Sequence, residues 1–257
     1  MNKIIGKFSI FLRCVSKVNN WYIIPLAYYK IIKSKYFVLS LKNGLKIKMR
    51  TNSTDLQAFV NVWILEEYKE EMLEIGKNDI VIDVGAHIGL FTLYASQFCR
   101  DGSIYAFEPF KENLDLFRKN MQINKLMNIN ILNYAVAGKK EKIRIYKNNK
   151  DNAAHSMYGS GDNFFEIEAV TIGDVIDTHH ITKCDLLKID CEGAEYEIIK
   201  SIPREYFPKI EKICLEYHLA DSKPYLLNEL KETLRISNYK LTDRSSFDGM
   251  GILFASK

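Results

Sequence analysis

The sequence has few cysteines and few prolines, and it lacks a long hydrophobic run. Its five cysteines are odd in number and no two are spaced C-x-x-C, so neither a disulfide framework nor a zinc ribbon fits. The longest run without a charged residue, residues 84–99, has 16 residues. A membrane span needs roughly 18–20. These absences predict reduced thiols, no transmembrane helix and a cytoplasmic location.

Acidic residues are absent from the first 54 positions, which contain eleven basic residues. The other 203 residues carry 25 basic and 32 acidic side chains, so the basic charge is concentrated in one fifth of the chain. Apolar residues in 2–35 recur at helical spacing, and Asn43-Gly44 predicts a β-hairpin after them. Three interpretations remain for this segment: a solvated helical face, a surface for an anionic membrane, or an RNA-binding segment, which the acidic body disfavours.

The remainder of the chain predicts an α/β fold, since short apolar runs alternate with amphipathic stretches from residue 80 onward. We expect a mostly parallel sheet with helices on both faces, in a domain of residues 55–257 that follows an extension of residues 1–54. The last two strands should pair antiparallel because no helix separates them. An excursion at 141–176 interrupts the alternation. The predicted strands are 80–84, 103–107, 129–135, 142–146, 166–172, 185–189, 212–216, 240–243 and 252–255, and the predicted helices are 88–98, 111–124, 194–201 and 225–236.

The strongest motif is VIDVGAHIGLFTLYA at 81–95, in which an apolar strand leads through a Gly-x-x-x-Gly turn into a helix. Glycines allow a ligand to approach the backbone, and a helix N-terminus offers unpaired N–H groups. Glu108 follows Gly89 by nineteen residues, at the end of the next strand. A carboxylate there can accept hydrogen bonds from ribose hydroxyls, so the motif predicts a nucleoside site at the sheet edge.

Two nucleoside cofactors use such a site. A dinucleotide fold requires G-x-G-x-x-G, but His87 stands where the second glycine would be. Asp83 disfavours a pyrophosphate and suits the positive charges of S-adenosylmethionine, SAM. We therefore favour SAM; a nicotinamide dehydrogenase and a turn that binds no ligand are the alternatives.

A second motif, DLLKIDCEGAEYEIIKSIP at 185–203, brings Asp190 and Glu192 to the end of a strand. The following strand ends at Glu216-Tyr217-His218. His218 is our first choice as general base, because a neutral imidazole with a pKa near 6.5 suits proton abstraction from a hydroxyl. Its alternative is a histidine that holds a loop. Asp190 is a second candidate base or a partner for the SAM ammonium, and Glu192 fits catalysis and helix stabilisation equally.

The acceptor site is predicted from weaker signals. His155 and Ser156 lie among small residues in the excursion and could form an acceptor-binding loop or a surface loop. Glu216 is also assigned to acceptor binding. Asp190, Glu192, Glu216 and His218 could hold a divalent cation, but such oxygen-rich sets are common by chance, and we predict no metal.

The motifs together resemble the FkbM-type SAM-dependent methyltransferases. The resemblance covers residues 55–257 and rests on DVGAHIGLFTLYA, AFEP, NYAVAG, LLKIDCEGAE and LEYH, in this order. It implies a Rossmann-like class I fold with a seven-stranded sheet. It also implies SAM-binding residues: Asp83, Gly85, Ala86 and Gly89 at the methionine part, Glu108 at the ribose, and Ala135 and Val136 near the adenine. His87, where many members have Asn, and Pro109 are also assigned to cofactor binding.

The resemblance further implies O-methylation, commonly of sugars or secondary-metabolite hydroxyls. We therefore predict an O-methyltransferase that acts on a hydroxyl of a sugar, glycan or related metabolite, in the cytoplasm or at the periphery of a membrane. Its partners are a small-molecule or glycan acceptor and an anionic membrane surface, but no nucleic acid. A nucleic-acid methyltransferase and a non-catalytic nucleoside-binding protein of the same fold are the alternatives; the first lacks an Asn/Asp-Pro-Pro-aromatic motif.

Overall fold

The N-terminal part of the chain forms two helices and a hairpin, as predicted. The structure, a computed structural model, describes residues 2–70, 73–146, 164–245 and 249–257. Asn43-Gly44 forms the tight turn of the hairpin, where Gly44 has a φ of 93°. A helix that the pattern did not predict follows and continues as a π-helix at Val60–Leu65. The elements are α1 (Asn2–Lys17), α2 (Ile23–Tyr28), β1 (Tyr36–Ser40), β2 (Lys46–Arg50) and α3 (Asp55–Phe59).

Strands and helices alternate from residue 80, as the apolar pattern predicts. The first series is β3 (Ile80–Val84), α4 (Leu90–Ser96), β4 (Ser103–Phe107), α5 (Lys111–Asn124) and β5 (Ile129–Leu132). The second series is β9 (Leu186–Ile189), α7 (Glu195–Ser201), β10 (Lys212–Tyr217), α8 (Pro224–Ile236), β11 (Lys240–Ser245) and β12 (Gly251–Ser256).

The excursion between the two series forms a small sheet of its own. Its strands are β6 (Ala135–Val136), β7 (Lys142–Tyr146) and β8 (Phe164–Val170), in the order β6-β8-β7. The predicted strand 129–135 is therefore wrong at its end: β5 stops at Leu132, because Asn133 donates hydrogen bonds to the carbonyls of Glu108 and Pro109 and turns the chain into this sheet.

The predicted strand 166–172 is also wrong at its end. Ile172 begins helix α6 (Ile172–Thr178) instead of closing a strand. The Thr171 hydroxyl accepts the N–H of Asp174, and the Asp174 carboxylate accepts the N–H of Thr171. This reciprocal pair is a capping box, which satisfies N–H groups that the first turn of a helix leaves unpaired.

The main sheet has seven strands in the order β11-β12-β10-β9-β3-β4-β5. Five are parallel, and β12 pairs antiparallel with both β10 and β11, as predicted for the last two strands. From β3 the chain builds the sheet first towards β5 and then, from β9, towards the other edge. The order thus reverses between β3 and β9, and open α/β sheets bind ligands in the crevice beyond the strand ends at such a point.

Apolar residues of alternating strand positions fill a core on each face of the main sheet. Val81 of β3 packs with α4 and α5, and Ile82 packs with α6, α7 and α8. The hairpin joins the first of these cores, where Ile47 and Met49 of β2 are fully buried. The Asn120 side chain of α5 accepts a hydrogen bond from the backbone of β2 at 2.8 Å. The N-terminal extension is therefore packed into the body.

No helix in the described ranges has the length and apolar content that crossing a membrane requires.

Candidate active site

A cavity of about 360 Å³ lies at the carboxyl ends of β3, β4, β9 and β10, where the strand order reverses. Most of the predicted site residues line it together. These are Gly85, Ala86, His87, Glu108, Pro109, Ala135, Val136, Asp190, Glu192, Glu216 and His218.

The loop from β3 to α4 depends on two glycines with positive φ. Gly85 has a φ of 77°, and a Cβ on it would stand 1.7 Å from the carbonyl oxygen of Asp190. Gly89 has a φ of 85°, and a Cβ there would stand 2.2 Å from the Phe117 ring of α5. Gly89 lies outside the cavity lining, so what the structure shows for it is close packing of the loop on α5.

Glu108 is held rigidly at the end of β4, facing the cavity. Its Oε2 accepts the N–H of His87 at 2.8 Å, and its Oε1 accepts the N–H of Phe110 at 2.9 Å and the Asn113 amide. Burial raises the pKa of Glu108 to about 7, although these donors stabilise its charged form. A fixed, buried carboxylate of this kind fits the two vicinal hydroxyls of a ribose, whose contact with Glu108 stays a prediction.

An apolar slot continues from Glu108. Ala135 and Val136 of β6 form one side, as the predicted adenine position requires. Phe110 and Phe165, whose ring centroids are 5.4 Å apart, and Ile145 complete the slot; the sequence motifs did not indicate them. A carboxylate beside a flat apolar slot fits a nucleoside, so the donor end of the cavity suits SAM.

Asp83 lies behind the cavity wall and does not line it. Its Oδ2 accepts the Thr92 hydroxyl at 2.6 Å, and its Oδ1 is 3.2 Å from Nζ of Lys188. The predicted contact between Asp83 and the methionine part of SAM therefore has no counterpart in this geometry, because both oxygens face buried side chains. Asp83 forms an ion pair with Lys188 instead.

Lys188 is a charged residue inside the apolar strand β9, and it is 2% exposed. Its ammonium also lies 3.5 Å from Oδ2 of Asp190. Burial alone would lower the pKa of Lys188, but Asp83 and Asp190 outweigh it and hold the pKa above its usual value. Lys188 thus stays charged and links the buried Asp83 to the cavity residue Asp190.

Tyr68 bridges two carboxylates of the cavity, and no sequence motif indicated it. Its hydroxyl lies 3.1 Å from Oδ2 of Asp190 and 3.0 Å from Oε2 of Glu216. Burial and the charge of Asp190 raise the pKa of Glu216 to about 8. One hydroxyl hydrogen serves only one carboxylate at a time, so the raised pKa of Glu216 favours a proton shared between Glu216 and Tyr68 in this contact.

His218 is oriented by Glu195, a buried residue of α7 that we did not predict as functional. Nδ1 of His218 lies 2.6 Å from Oε1 of Glu195, and Nε2 lies 3.8 Å from Glu192 and 3.9 Å from Glu216. Burial alone would lower the pKa of His218, but the hydrogen bond and charge of Glu195, with the charges of Glu192 and Asp190, raise it to about 9. The expectation of a neutral imidazole with an ordinary pKa is therefore wrong for this site without its ligands.

The wall opposite the strand ends comes from the N-terminal part of the chain. Three polar residues spaced by about one helical turn, Thr54, Gln57 and Asn61, line the cavity. The Arg50 guanidinium pairs with buried Asp55, with Nη2 to Oδ1 at 2.7 Å. The same Nη2 donates a hydrogen bond at 3.0 Å to Nε2 of His87 in the cofactor loop, a contact that sequence spacing does not reveal.

Two predicted acceptor residues, His155 and Ser156, lie outside the described residues. Within the described part of the chain, no group of three or more His, Cys, Asp or Glu side chains has the arrangement of a metal site.

A seven-stranded sheet with this order, a Gly-x-x-x-Gly loop and a ribose-type carboxylate at the next strand end define a class I SAM-dependent methyltransferase, with SAM as its cofactor. The sequence model of the methyltransferase FkbM domain matches residues 83–241. The chain belongs to this family, which confirms the resemblance and the predicted enzyme class.

Two relatives agree with this assignment, and a solved structure agrees with the fold. The chain is 23% identical over 192 residues to Methyltransferase sdnD of Sordaria araneosa, covering 62% of this chain and 73% of that protein. It is 24% identical over 185 residues to the 31-O-demethyl-FK506 methyltransferase FkbM of Streptomyces tacrolimicus, covering 60% and 71%. The fold is similar to a chain of the fibrillarin/Nop5p complex, with a TM-score of 0.50 at 17% identity over 78% of this chain and 80% of that one.

Proposed function

We propose that this methyltransferase transfers the methyl group of SAM to a hydroxyl oxygen of a sugar, glycan or related metabolite. The observation that carries the proposal is the Glu195–His218 pair at the acceptor end of the cavity. A hydroxyl must lose its proton as the oxygen attacks a methyl group, and an oriented imidazole is the side chain best suited to take it.

In this proposal His218 is the general base and Glu195 is its positioning residue. Glu195 holds Nδ1, which leaves Nε2 directed between Glu192 and Glu216 towards the cavity. The carboxylate also stabilises the imidazolium that forms when Nε2 takes a proton. The remaining carboxyl groups can exchange hydrogen bonds with the further hydroxyls of a sugar, which would orient one oxygen for in-line transfer.

The raised pKa of His218 is consistent with this role once the donor is bound. Carboxylates next to His218 raise its pKa, and SAM carries a sulfonium and an ammonium into the same cavity. Positive charge beside the carboxylates lowers the pKa of the imidazole and releases its proton. SAM should therefore lower the pKa of His218 more than S-adenosylhomocysteine does, and a proton NMR titration of His218 measures both values.

Two further facts support parts of the proposal. The name of the Streptomyces tacrolimicus relative, 31-O-demethyl-FK506 methyltransferase, describes methylation at an oxygen. All five cysteines are free thiols, which supports a cytoplasmic location.

The proposal is tested with the purified protein, SAM and a panel of nucleotide sugars and glycans, with formation of S-adenosylhomocysteine as the readout. Titration calorimetry with S-adenosylhomocysteine first establishes the donor site. We expect turnover on a polyhydroxylated acceptor, with the new methyl group on oxygen by NMR, and its loss in His218→Ala. Binding of S-adenosylhomocysteine without turnover on any hydroxyl acceptor, or methylation at nitrogen, would contradict the proposal while leaving the donor site intact.

A further inference from the structure

Large apolar side chains are exposed at high density near the N-terminus. Fifteen such side chains are exposed among the described residues, and seven lie within 11–31. Concentrated exposed apolar groups mark an interaction surface, whereas scattered ones are ordinary. The seven form the N-terminal apolar surface, which consists of Phe11, Leu12, Tyr22, Leu26, Tyr28, Tyr29 and Ile31.

Helix α2 has two apolar faces, and only one of them packs on the protein. Ile23, Ile24 and Ala27 pack against the core. Tyr22, Leu26 and Tyr29, spaced by four and three residues, are 57%, 39% and 71% exposed. Residues at this spacing share a helix face, so α2 lies on the body with a second apolar face outward.

Helix α1 extends the same surface. Its residue Cys14 is buried in the core, while Phe11 and Leu12 are 42% and 51% exposed. The Phe11 ring contacts Trp21 edge-to-face with 5.4 Å between centroids, and Trp21 contacts Tyr22 in the same manner. These ring contacts connect the outward side chains of the two helices.

Positive charge surrounds this surface. Residues 1–54 contain no acidic residue, and Lys30, Lys33 and Lys35 are exposed directly after α2. Within the described ranges, neither Lys30 nor Lys33 has a carboxylate at ion-pair distance, whereas Lys17 pairs with Glu66. The apolar surface is therefore bordered by lysines whose charge faces solvent.

We propose that the N-terminal apolar surface and its lysines bind the anionic face of a membrane. Tyrosine and tryptophan rings prefer the headgroup region, and lysines beside them are attracted by anionic lipids. A symmetric second copy of the chain would instead bring two surfaces of the same positive sign together. Charge complementarity therefore favours the membrane as the occupant, and the protein lies on it without crossing it.

Flotation with vesicles of phosphatidylcholine, with and without phosphatidylglycerol, tests the proposal on the full chain. We expect binding only with phosphatidylglycerol and release by salt. The variant Tyr22→Ser/Leu26→Ser/Tyr29→Ser should lose binding by about tenfold or more, and Lys30→Gln/Lys33→Gln should weaken it by about tenfold. The control Ile123→Ser/Met127→Ser, which changes exposed apolar residues elsewhere, should bind like wild type.

Trp21 reports insertion directly, because the other tryptophan, Trp63, is 5% exposed inside the core. Brominated acyl chains should quench the Trp21 fluorescence. Equal binding by wild type and the triple variant, or no binding to either vesicle, would refute the proposal. The proposal would also be refuted if wild type formed a dimer in light scattering, lost that dimer in the triple variant, and bound no vesicles. Retained binding of S-adenosylhomocysteine shows that each variant is folded, and the test involves no turnover.

Discussion

The two ends of the cavity satisfy their carboxylates in opposite ways. At the donor end Glu108 accepts two backbone N–H groups and one amide, none of which titrates. At the end where we propose that the acceptor binds, called the acceptor end below, Asp190 and Glu216 share the hydroxyl of Tyr68, and Glu195 pairs with His218. The donor end is thus fixed by the backbone, while at the acceptor end each group depends on the protonation of its neighbours.

This difference predicts that pH and substitutions affect cofactor binding and methyl transfer to different extents. Backbone N–H donors do not titrate, so the only group of this set at the donor end whose charge changes with pH is Glu108 itself, with a pKa of about 7. A network of ionisable groups changes when one member is neutralised, because the pKa of each depends on the charge of the others. The acceptor end should therefore respond more strongly to pH and to single substitutions than the donor end does.

The largest effect is expected from His218→Ala, which removes the proposed base and leaves the donor end untouched. Turnover should fall by roughly 10²–10⁴-fold, the usual contribution of a general base. Binding of S-adenosylhomocysteine should change less than about twofold. The control is His179→Ala, at the C-terminal end of α6 and outside the cavity lining. Equal loss of S-adenosylhomocysteine binding and of turnover would show that His218 supports the donor end as well, and would contradict the proposed difference between the two ends.

The pH dependence of wild-type turnover tests His218 as the general base in a second way. The unprotonated imidazole is the active form, and the pKa of His218 is raised to about 9 without ligands. The kcat/KM for SAM, which reports the free enzyme, should therefore rise from neutral pH towards pH 9, while kcat should rise at lower pH because bound SAM lowers the pKa of His218. Glu195→Gln should shift the rise in kcat/KM to lower pH by removing a charge that raises the pKa. A flat pH–rate profile would oppose His218 as the base.

Lys188→Met tests the buried ion pair between Lys188 and Asp83 behind the cavity wall. The substitution leaves Asp83 buried without its cation, and breaking a buried pair on one side costs about 3–5 kcal/mol of unfolding free energy. Urea denaturation measures the change. Lys119→Met, at an exposed position of α5, is the control and should cost less than about 0.5 kcal/mol. A similar loss in both variants would show that Lys188 carries no special charge role.

Glu108→Ala addresses the donor end. Loss of charged hydrogen bonds to the cofactor, at roughly 1.5–3 kcal/mol, should weaken S-adenosylhomocysteine binding by about 10–100-fold in calorimetry. Glu112→Ala, an exposed change in the following helix, serves as the matched control. Because the pKa of Glu108 is raised to about 7, wild-type affinity should fall as the pH drops below 7, and Glu108→Gln should abolish that dependence.

The smallest effect is expected from Tyr68→Phe, which removes only the shared hydroxyl. Asp190 and Glu216 lose one hydrogen bond each, so turnover should fall by roughly tenfold with little change in S-adenosylhomocysteine affinity. The pH–rate profile should also shift, since Glu216 loses its acceptor. An unchanged profile would mean that the bridge does not couple the two carboxylates.

Local patterns predicted the sheet and the donor loop because each signal lies within a few residues. The turn between β3 and α4 follows from its glycines. The spacing of Thr171 and Asp174 also indicates a capping box and hence a helix start, although the apolar pattern predicts a strand to residue 172. Lys188 could have been noticed as a charge in an apolar strand, which requires a buried partner. Tyr68 had no such signal: its partners Asp190 and Glu216 are 122 and 148 residues away.

The domain division at residue 54 also shows where local reading stops. It separates Arg50 from Asp55, which form a buried ion pair, and both approach His87 in the cofactor loop. The division was drawn from a change in charge along the chain. A change in net charge along the chain does not indicate an ion pair between residues on either side of the division.

The wall built by Thr54, Gln57 and Asn61 lies upstream of the residues that match the FkbM family, which begin at 83. Part of the cavity lining is thus encoded ahead of the stretch that matches the family. Residues 54–61 can therefore change in evolution while the residues at the strand ends of the donor site are retained. For engineering, the lining residues of this segment can be varied without touching the strand ends of the donor site.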